Sequence, residues 1–547
     1  MKYALRQVFA VVMLGLLVAL LATVAVAIVL AVVAALVAAA TAGGAWAAGA
    51  GIVITTMAAA LGLLAARRRR RPESPLGVPV MADEQPLLWV EVNRVAEGLG
   101  TRAPDELFLV PEADVTASEQ RSWLGLRPGA RRLQVGLPLL AGLTERQLRA
   151  VITHEVGRRW GSVSLDRVIH RGQEILGRVV ASFGADSRPG KIFGRYGDVY
   201  LAVSGPISRK YEVEQDLLSA ELAGNGAAAA ALHEFAVLRS GWAGFVNGYA
   251  EPAAALGRRP HDVFAGFASF LDSPDRRAQL VQEVDIPSPT AAVRGSQVSL
   301  GDRLAAIASL PEDDMRDTSG PAVEMLRDPD GLIGRVEEFM FSDSGLVPAP
   351  WEDIVPEAGR AAACEDALQL ARLGHAGGLG TTLSVANIVE LVSHGLVDEM
   401  VRPMLADGAS PESERALAGR LVTGFLATAA IESGTASYRF DWAAPRLLVD
   451  DQGVVDDLPQ LVDAALADQG QVHALELWLE SHRVGHELEL GADLAQAVSE
   501  DLQVAPADSP IEHVREDPTQ GSGANPAADP RAGTLPLLVP VAEGASI

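Results

Sequence analysis

Residues 143–160 read Leu-Thr-Glu-Arg-Gln-Leu-Arg-Ala-Val-Ile-Thr-His-Glu-Val-Gly-Arg-Arg-Trp. Thr144 is a good helix N-cap, because its hydroxyl can accept a hydrogen bond from a backbone N–H of the first turn. Glu145 follows at the positive end of the helix dipole, where a carboxylate is stabilising. The pattern predicts a helix that begins after Thr144 and continues through Val156.

This helix carries His154 and Glu155, and Arg158 follows one turn after His154. In a helical His-Glu-x-x-His motif, two imidazoles one turn apart bind one zinc ion, and the glutamate activates a metal-bound water. The first two positions of that motif are present here, and the fifth is arginine. His154 is therefore a candidate metal ligand and Glu155 a candidate general base.

The segments before this helix predict a small domain of mixed composition. Apolar residues at helical spacing over 84–96 predict a helix. The apolar runs Leu107–Val110 and Leu133–Val135 predict two strands, separated by a loop that contains Trp123 and Pro128. The fold class predicted from these patterns is mostly α with a small β element.

Several segments match a known family in order along the chain. They are the lead-in Leu133–Leu140 with Leu143-Thr144, the stretch Ala150–Glu155, the polar segment Ser208–Asp216 and its continuation Ala220–Gly224. Together they resemble the membrane-bound zinc endopeptidases of the HtpX and CAAX-prenyl-protease class, metallopeptidase family 48. The resemblance covers roughly residues 1–310.

The resemblance implies a zincin-like domain of the gluzincin type that hydrolyses polypeptides with zinc as cofactor. It assigns zinc binding to His154 and Glu212 and the role of general base to Glu155. Asp216 lies four residues after Glu212 on the same helix face. In the family this aspartate holds a zinc-binding histidine by a hydrogen bond.

Three positions depart from the family pattern. Arg158 stands where the family has its second histidine ligand, Val163 lies near the position of a family aspartate, and Ser288-Pro289 replaces a downstream His-Pro. His154 and Glu212 alone supply two ligands, whereas a catalytic zinc normally takes three protein ligands and water. The departures therefore affect the metal site and its surroundings.

Two functions are compatible with this pattern. In the first, the guanidinium of Arg158 replaces the metal structurally by pairing with Glu212 or Glu155, and the chain is an inactive pseudopeptidase that binds or regulates polypeptides without zinc. In the second, it is an active zinc-dependent membrane endopeptidase whose missing ligand comes from elsewhere, for example His170 or His233. A chance His-Glu pair in an ordinary helix is disfavoured by the ordered match.

The N-terminal segment predicts a membrane anchor. Residues 1–71 contain seven basic residues and no acidic one, and no charged side chain occurs over 7–66. This length predicts a two-helix transmembrane hairpin, with helices near 8–40 and 45–66 that contact the lipid bilayer. Basic residues flank both ends, so the predicted location is the plasma membrane with both termini in the cytoplasm.

Composition divides the remainder of the chain. We predict a hairpin at 1–71, a metallopeptidase-like domain at 72–310, an acidic linker at 311–330, a mainly helical domain at 331–503 and a disordered tail at 504–547. The net charge of −25 argues against nucleic acid as a partner. The single cysteine, Cys364, excludes disulfides within the chain and is predicted to be buried.

The predicted C-terminal domain contains three local signals. Ser410-Pro411 is a typical helix start, and the run Tyr438–Trp442 followed by Leu447–Val449 predicts a small hairpin. His482 and His486 have a metal-binding spacing, but Gly485 weakens a helix there, and we interpret them as a polar helix end.

Overall fold

The computed structural model describes a defined part of the chain. The described residues are 4–16, 19, 23, 77–122, 127–161, nine residues between 165 and 177, 188–285, 298–311, 317–342, 344–379, 382–405, 410–451, 453–455 and 457–491. The predicted tail at 504–547 and the substituted positions Val163 and Ser288-Pro289 lie outside them.

The described chain is mostly helical with small sheets. The helices are α1 at residues 4–16, α2 Pro86–Gly98, α3 Leu137–Gly142, α4 Glu145–Trp160, α5 Arg188–Ala223, α6 Asn225–Phe245, α7 Glu251–Ala255, α8 Val263–Asp272, α9 Pro274–Asp285, α10 Leu300–Ala308, α11 Pro329–Phe341, α12 Trp351–Ala376, α13 Val385–Ser393, α14 Val397–Val401, α15 Pro411–Glu432, α16 Leu458–Ala467 and α17 Val472–Ser481. The strands are β1 Val78–Pro79, β2 Glu106–Val110, β3 Val115–Ser122, β4 Arg127–Gly136, β5 Arg258–Pro260, β6 Val347–Ala349, β7 Thr382–Ser384, β8 Ala436–Arg439, β9 Leu447–Asp450, β10 Gly453–Val454 and β11 Glu489–Gly491.

Two compact units are formed. The first contains the described residues up to Ser240 together with Val281–Phe339, and the second contains Gly241–Leu280 and the described residues from Met340 onward.

The first unit contains a four-stranded sheet in the order β1-β2-β4-β3. Strands β2 and β4 are parallel, whereas β1 and β3 join the sheet antiparallel. Leu107 and Ala117 are both in register with Leu133, and all three side chains are buried. This alternation places one apolar face of the sheet in the core.

Strand β3 corrects one expectation from the sequence. The residues between the two apolar runs were predicted to form a loop with Trp123 and Pro128, but Val115–Ser122 forms the edge strand β3. Pro128 lies in β4, and Trp123 lies outside the described residues. The strand has mostly polar side chains after Ala117, so it lacks the apolar run on which the prediction relied.

The predicted transmembrane hairpin at 8–66, and with it the plasma-membrane location and the cytoplasmic placement of both termini, is not supported. Of the helices in the described ranges, none is both long enough and apolar enough to cross a bilayer. Most of the predicted hairpin after residue 16 lies outside the described part of the chain.

Helix α1 packs within the first unit. Its Ala10 and Met13 belong to a buried cluster with Ile169, Tyr200 and Ile207. Ala10 and Met13 of α1 therefore belong to a protein core.

The first unit also includes part of the segment that we predicted as an acidic linker. The buried side chain of Gln85 donates to the carbonyl of Arg327 and accepts from its N–H, both at 2.6 Å. Asp317 accepts a hydrogen bond from the Thr144 hydroxyl at 2.7 Å. These contacts hold the segment against the N-terminal ends of α2 and α4.

The second unit is built around α12 and α15. Ser410 caps α15 as predicted, because its hydroxyl accepts a hydrogen bond from Ser413 N. Strands β8 and β9 form the predicted hairpin, but β8 ends at Arg439, before Phe440 and Trp442, and β10 pairs with β9 as a third strand. His482 follows the last residue of α17, so the His482–His486 pair does not lie on one helix. Cys364 is buried, and burial raises the pKa of its thiol to about 11.

The close packing of α12 and α15 requires a glycine at position 424. A Cβ atom there would lie 2.5 Å from Asp366 Cβ, and neither helix backbone can move without disturbing the core. We expect Gly424→Ala to lower the free energy of unfolding by about 1–3 kcal/mol, measured by urea titration with circular dichroism.

Gly244→Ala is the control, because no atom lies within 4 Å of the added Cβ in α6. It should leave stability unchanged or raise it by up to about 1 kcal/mol. Equal stability of Gly424→Ala and the parent would contradict the described contact.

Candidate functional site

Helix α4 places the candidate site residues, and a capping box fixes its start. Thr144 Oγ1 accepts from Gln147 N at 3.2 Å, and Gln147 Oε1 accepts from Thr144 N at 3.1 Å. The predicted N-cap is therefore confirmed. Counted from this fixed end, His154 and Glu155 fall on the third turn of the helix.

Helix α5 lies close against α4. The two helices meet at Gly157, where an added Cβ would lie 2.5 Å from Gln215 Oε1 and would displace that side-chain amide. The approach brings Asp216 of α5 to His154, with Nδ1 2.9 Å from Oδ1. The resemblance had implied a hydrogen bond from Asp216 to a histidine, and the structure places the two side chains in that contact.

A third helix contributes a residue that the sequence analysis did not identify. Arg303 of α10 contacts both carboxylate oxygens of Asp216, with Nε at 2.8 Å from Oδ2 and Nη2 at 2.6 Å from Oδ1. Arg303 and Asp216 are 5% and 1% exposed. Burial alone would raise the pKa of Asp216, but the hydrogen bonds from Arg303 and His154 outweigh it and hold the pKa below its usual range.

Glu155, the candidate general base, is held by two arginines. Arg158 places Nε 2.9 Å and Nη2 2.8 Å from Oε2, and Arg159 Nε lies 3.2 Å from Oε1. The backbone N–H of Ala117 in β3 also donates to Oε1 at 3.3 Å. Of the two pairings expected for Arg158, the structure therefore has the one with Glu155.

Two buried atoms of the site lack a hydrogen-bond partner among the described residues, His154 Nε2 and Glu212 Oε2. Burial raises the pKa of Glu212, which the charges of Arg303 and Arg158 oppose. Burial also lowers the pKa of His154, although Asp216 acts in the opposite direction. The neutral imidazole carries its proton on Nδ1, facing Asp216, so Nε2 is a hydrogen-bond acceptor.

The donors that the described residues supply are one short of a catalytic zinc site. His154 Nε2 and Glu212 Oε2 have the chemistry of zinc ligands, but such a site takes three protein ligands. The described ranges contain no group of three His, Cys, Asp or Glu side chains placed to hold a metal. Neither His170 nor His233, the two candidate replacements, lines the cleft beside His154. The His170 ring lies 5.7 Å from that of Tyr211.

The site opens into a cleft of about 300 Å³. Strand β3 borders it with Val115 and Thr116, and α4 contributes His154 and Glu155. The apolar part of the lining comes mainly from α6 and α10: Ala228, Ala231, Leu232, Phe235, Ala236, Leu300 and Ile307. The cleft therefore joins a sheet edge, a buried polar cluster and an apolar wall.

Comparison with known proteins gives no match to this chain among protein-family models, curated proteins or solved structures. The resemblance to family 48 metallopeptidases therefore stays a prediction from the motifs of this sequence.

The Asp216–Arg303 pair yields a stability prediction. Asp216→Asn leaves the Arg303 guanidinium buried without a counter-charge, so we expect the free energy of unfolding to fall by about 3–5 kcal/mol in urea titrations. Glu84→Gln is the matched control, because Glu84 pairs with Arg335 at 3.6 Å on the surface. It should change stability by less than about 0.5 kcal/mol. Similar effects of the two substitutions would contradict a structural role for Asp216.

Proposed function

We propose that the chain is a catalytically inactive relative of the HtpX and CAAX-prenyl-protease class, which binds extended polypeptide in the cleft beside β3 without hydrolysing it. The state of Glu155 carries the proposal. A general base must have a lone pair directed at the proton that it removes. The carboxylate of Glu155 accepts three hydrogen bonds, from Arg158 Nε, Arg159 Nε and Ala117 N, and Arg158 Nη2 forms an ion pair with the same Oε2.

The charge of Arg158, which stands at the position of the second histidine of the motif, also supports an inactive protein. A second imidazole would offer a lone pair to a metal, whereas Arg158 has no acceptor atom and keeps its charge. That guanidinium lies one turn from His154 and lines the same cleft. It would repel a dication bound by His154 Nε2 and Glu212 Oε2.

Polypeptide binding is supported by the sheet edge. Among the strands of the described ranges, β3 pairs with β4 alone, and the N–H of Ala117 points away from β4 toward Glu155. An edge strand can accept an extended peptide as an additional strand, with backbone hydrogen bonds giving affinity and adjacent pockets giving specificity. The apolar part of the cleft lining provides such a pocket for side chains.

One observation favours a second candidate function, an active zinc endopeptidase. His154 Nε2 and Glu212 Oε2 are two potential ligands without hydrogen-bond partners in the described ranges. A third ligand would complete a catalytic site. The two functions predict different zinc contents for the parent protein.

Zinc content separates the two functions. We expect the full-length parent, purified with zinc and dialysed, to hold less than about 0.1 zinc per chain by mass spectrometry and to leave unfolded casein uncut. Arg158→His should bind about one zinc per chain, since it adds the second imidazole of the motif.

Arg158→Gln is the control for this experiment. It removes the guanidinium without adding an imidazole, so it should remain metal-free. Zinc near one per chain in the parent, with casein cleavage that a chelator abolishes, would establish the second function and overturn the first.

A further inference from the structure

The lining of the cleft contains one buried hydrogen-bond acceptor that no described residue satisfies. His154 lines the cleft, and its Nδ1 lies 2.9 Å from Asp216 Oδ1. Its other ring nitrogen, Nε2, is buried without a hydrogen-bond partner. Because the N–H of Nδ1 is directed at the carboxylate, Nε2 of the neutral imidazole has a free lone pair. A buried acceptor of this kind costs free energy until a donor reaches it.

The carboxylates of the lining already have donors. Glu155 accepts three hydrogen bonds. Both oxygens of Asp216 accept from Arg303, and Asp114 Oδ1 accepts from a backbone N–H at 2.8 Å. Of the described residues that line the cleft, only His154 has a buried side-chain atom without a hydrogen-bond partner. A donor that enters the cleft therefore finds its acceptor at His154.

The surroundings of His154 limit the chemistry of that donor. The charges of Arg303 and Arg158 act on the His154 imidazole, so they disfavour a cationic donor such as a lysine side chain. The volume of about 300 Å³ is at the lower limit for ligand pockets, which leaves room for few side chains. The apolar part of the lining includes Leu232, Phe235 and Ile307. A neutral donor on an apolar body therefore fits the cleft best.

We infer that the cleft selects a tyrosine of the extended polypeptide that it binds. This inference rests on the proposed function. The ring of the tyrosine packs on the apolar part of the lining, and its hydroxyl donates a hydrogen bond to His154 Nε2. Serine and threonine carry the same donor but leave the apolar lining uncovered. Phenylalanine covers the lining but leaves the acceptor unpaired, and a site built for a hydroxyl rejects an analogue without one for this reason.

Fluorescence anisotropy with one peptide series tests this inference on the full-length chain. The probes are fluorescein-labelled, amidated octapeptides of Ala, Val and Thr with one central residue that varies: tyrosine, phenylalanine, O-methyltyrosine or 4-aminophenylalanine. Phenylalanine and O-methyltyrosine keep the ring without a donor, whereas 4-aminophenylalanine carries a neutral amine that can donate. We expect the tyrosine and 4-aminophenylalanine peptides to bind about tenfold or more tightly than the other two, because only they satisfy the buried acceptor.

Variants assign the acceptor to His154. His154→Leu should bind the tyrosine and phenylalanine peptides equally, while His154→Gln, whose amide oxygen can accept, should keep part of the preference. His473→Leu is the matched control, because the His473 side chain is 75% exposed on α17, and it should discriminate as the parent does. His154→Leu also removes a partner of Asp216, so circular dichroism melting curves check that each variant is folded.

The outcomes distinguish this inference from the proposed function. Equal binding of the tyrosine and phenylalanine peptides by the parent would overturn the selection of tyrosine and leave polypeptide binding in place. Equal binding of the tyrosine and O-methyltyrosine peptides, both tighter than phenylalanine, would show that the oxygen accepts a hydrogen bond and would also overturn the inference. Absence of binding by all four peptides would overturn both proposals. An unchanged preference in folded His154→Leu would contradict the assignment to His154.

Discussion

The first unit depends on one buried carboxylate. Asp216 in α5 contacts Arg303 of α10 through both oxygens and His154 of α4 through one. A buried carboxylate without partners costs several kcal/mol, so its charge is compensated only while all three helices stay in place. The contact also orients the imidazole and places its free nitrogen on the side away from Asp216. The contacts of Asp216 therefore both stabilise the packing of the three helices and fix the orientation of His154 in the site.

The same reasoning explains the balance of charges around the cleft. Glu155, Glu212 and Asp216 are all buried, and the compensating cations are guanidiniums. Arg158 and Arg303 together carry the formal charge of one divalent metal ion, distributed over two planar groups with many N–H donors. Such groups neutralise carboxylates but do not acidify a bound water as zinc does. Under the proposed kinship, arginine supplies the electrostatic part of the metal's role without its chemistry.

Local signals in the sequence predicted the elements that depend on local physics. The N-caps at Thr144 and Ser410 were predictable because the capping hydroxyl and its N–H partner lie three residues apart. The strands at Leu107–Val110 and Leu133–Val135 were predictable because they are apolar runs. Strand β3 was missed, since it takes its conformation from pairing with β4 and not from its own composition.

Residues of the site that depend on tertiary contacts were predictable only in part. Asp216 was identified through the order of motifs in a resembling family. Arg303 was not, because it lies 87 residues from Asp216 in an otherwise ordinary short helix, and no local pattern indicates which carboxylate it contacts. The sequence narrowed the partner of Arg158 to two glutamates. The structure shows that the partner is Glu155, whose carboxylate is held between Arg158 of α4 and the backbone N–H of Ala117 in β3.

Binding and hydrolysis make different demands on such a cleft. Hydrolysis needs lone pairs at fixed positions, and the substitution of one imidazole by a guanidinium removes both a ligand and the freedom of the neighbouring glutamate. Binding needs a free strand edge, an adjacent apolar wall and charge complementarity, none of which depends on that imidazole. Arg158 and Arg159 hold the carboxylate of Glu155 beside the strand edge. Under the proposed function, a cleft altered in this way loses its general base and keeps the features that bind extended polypeptide.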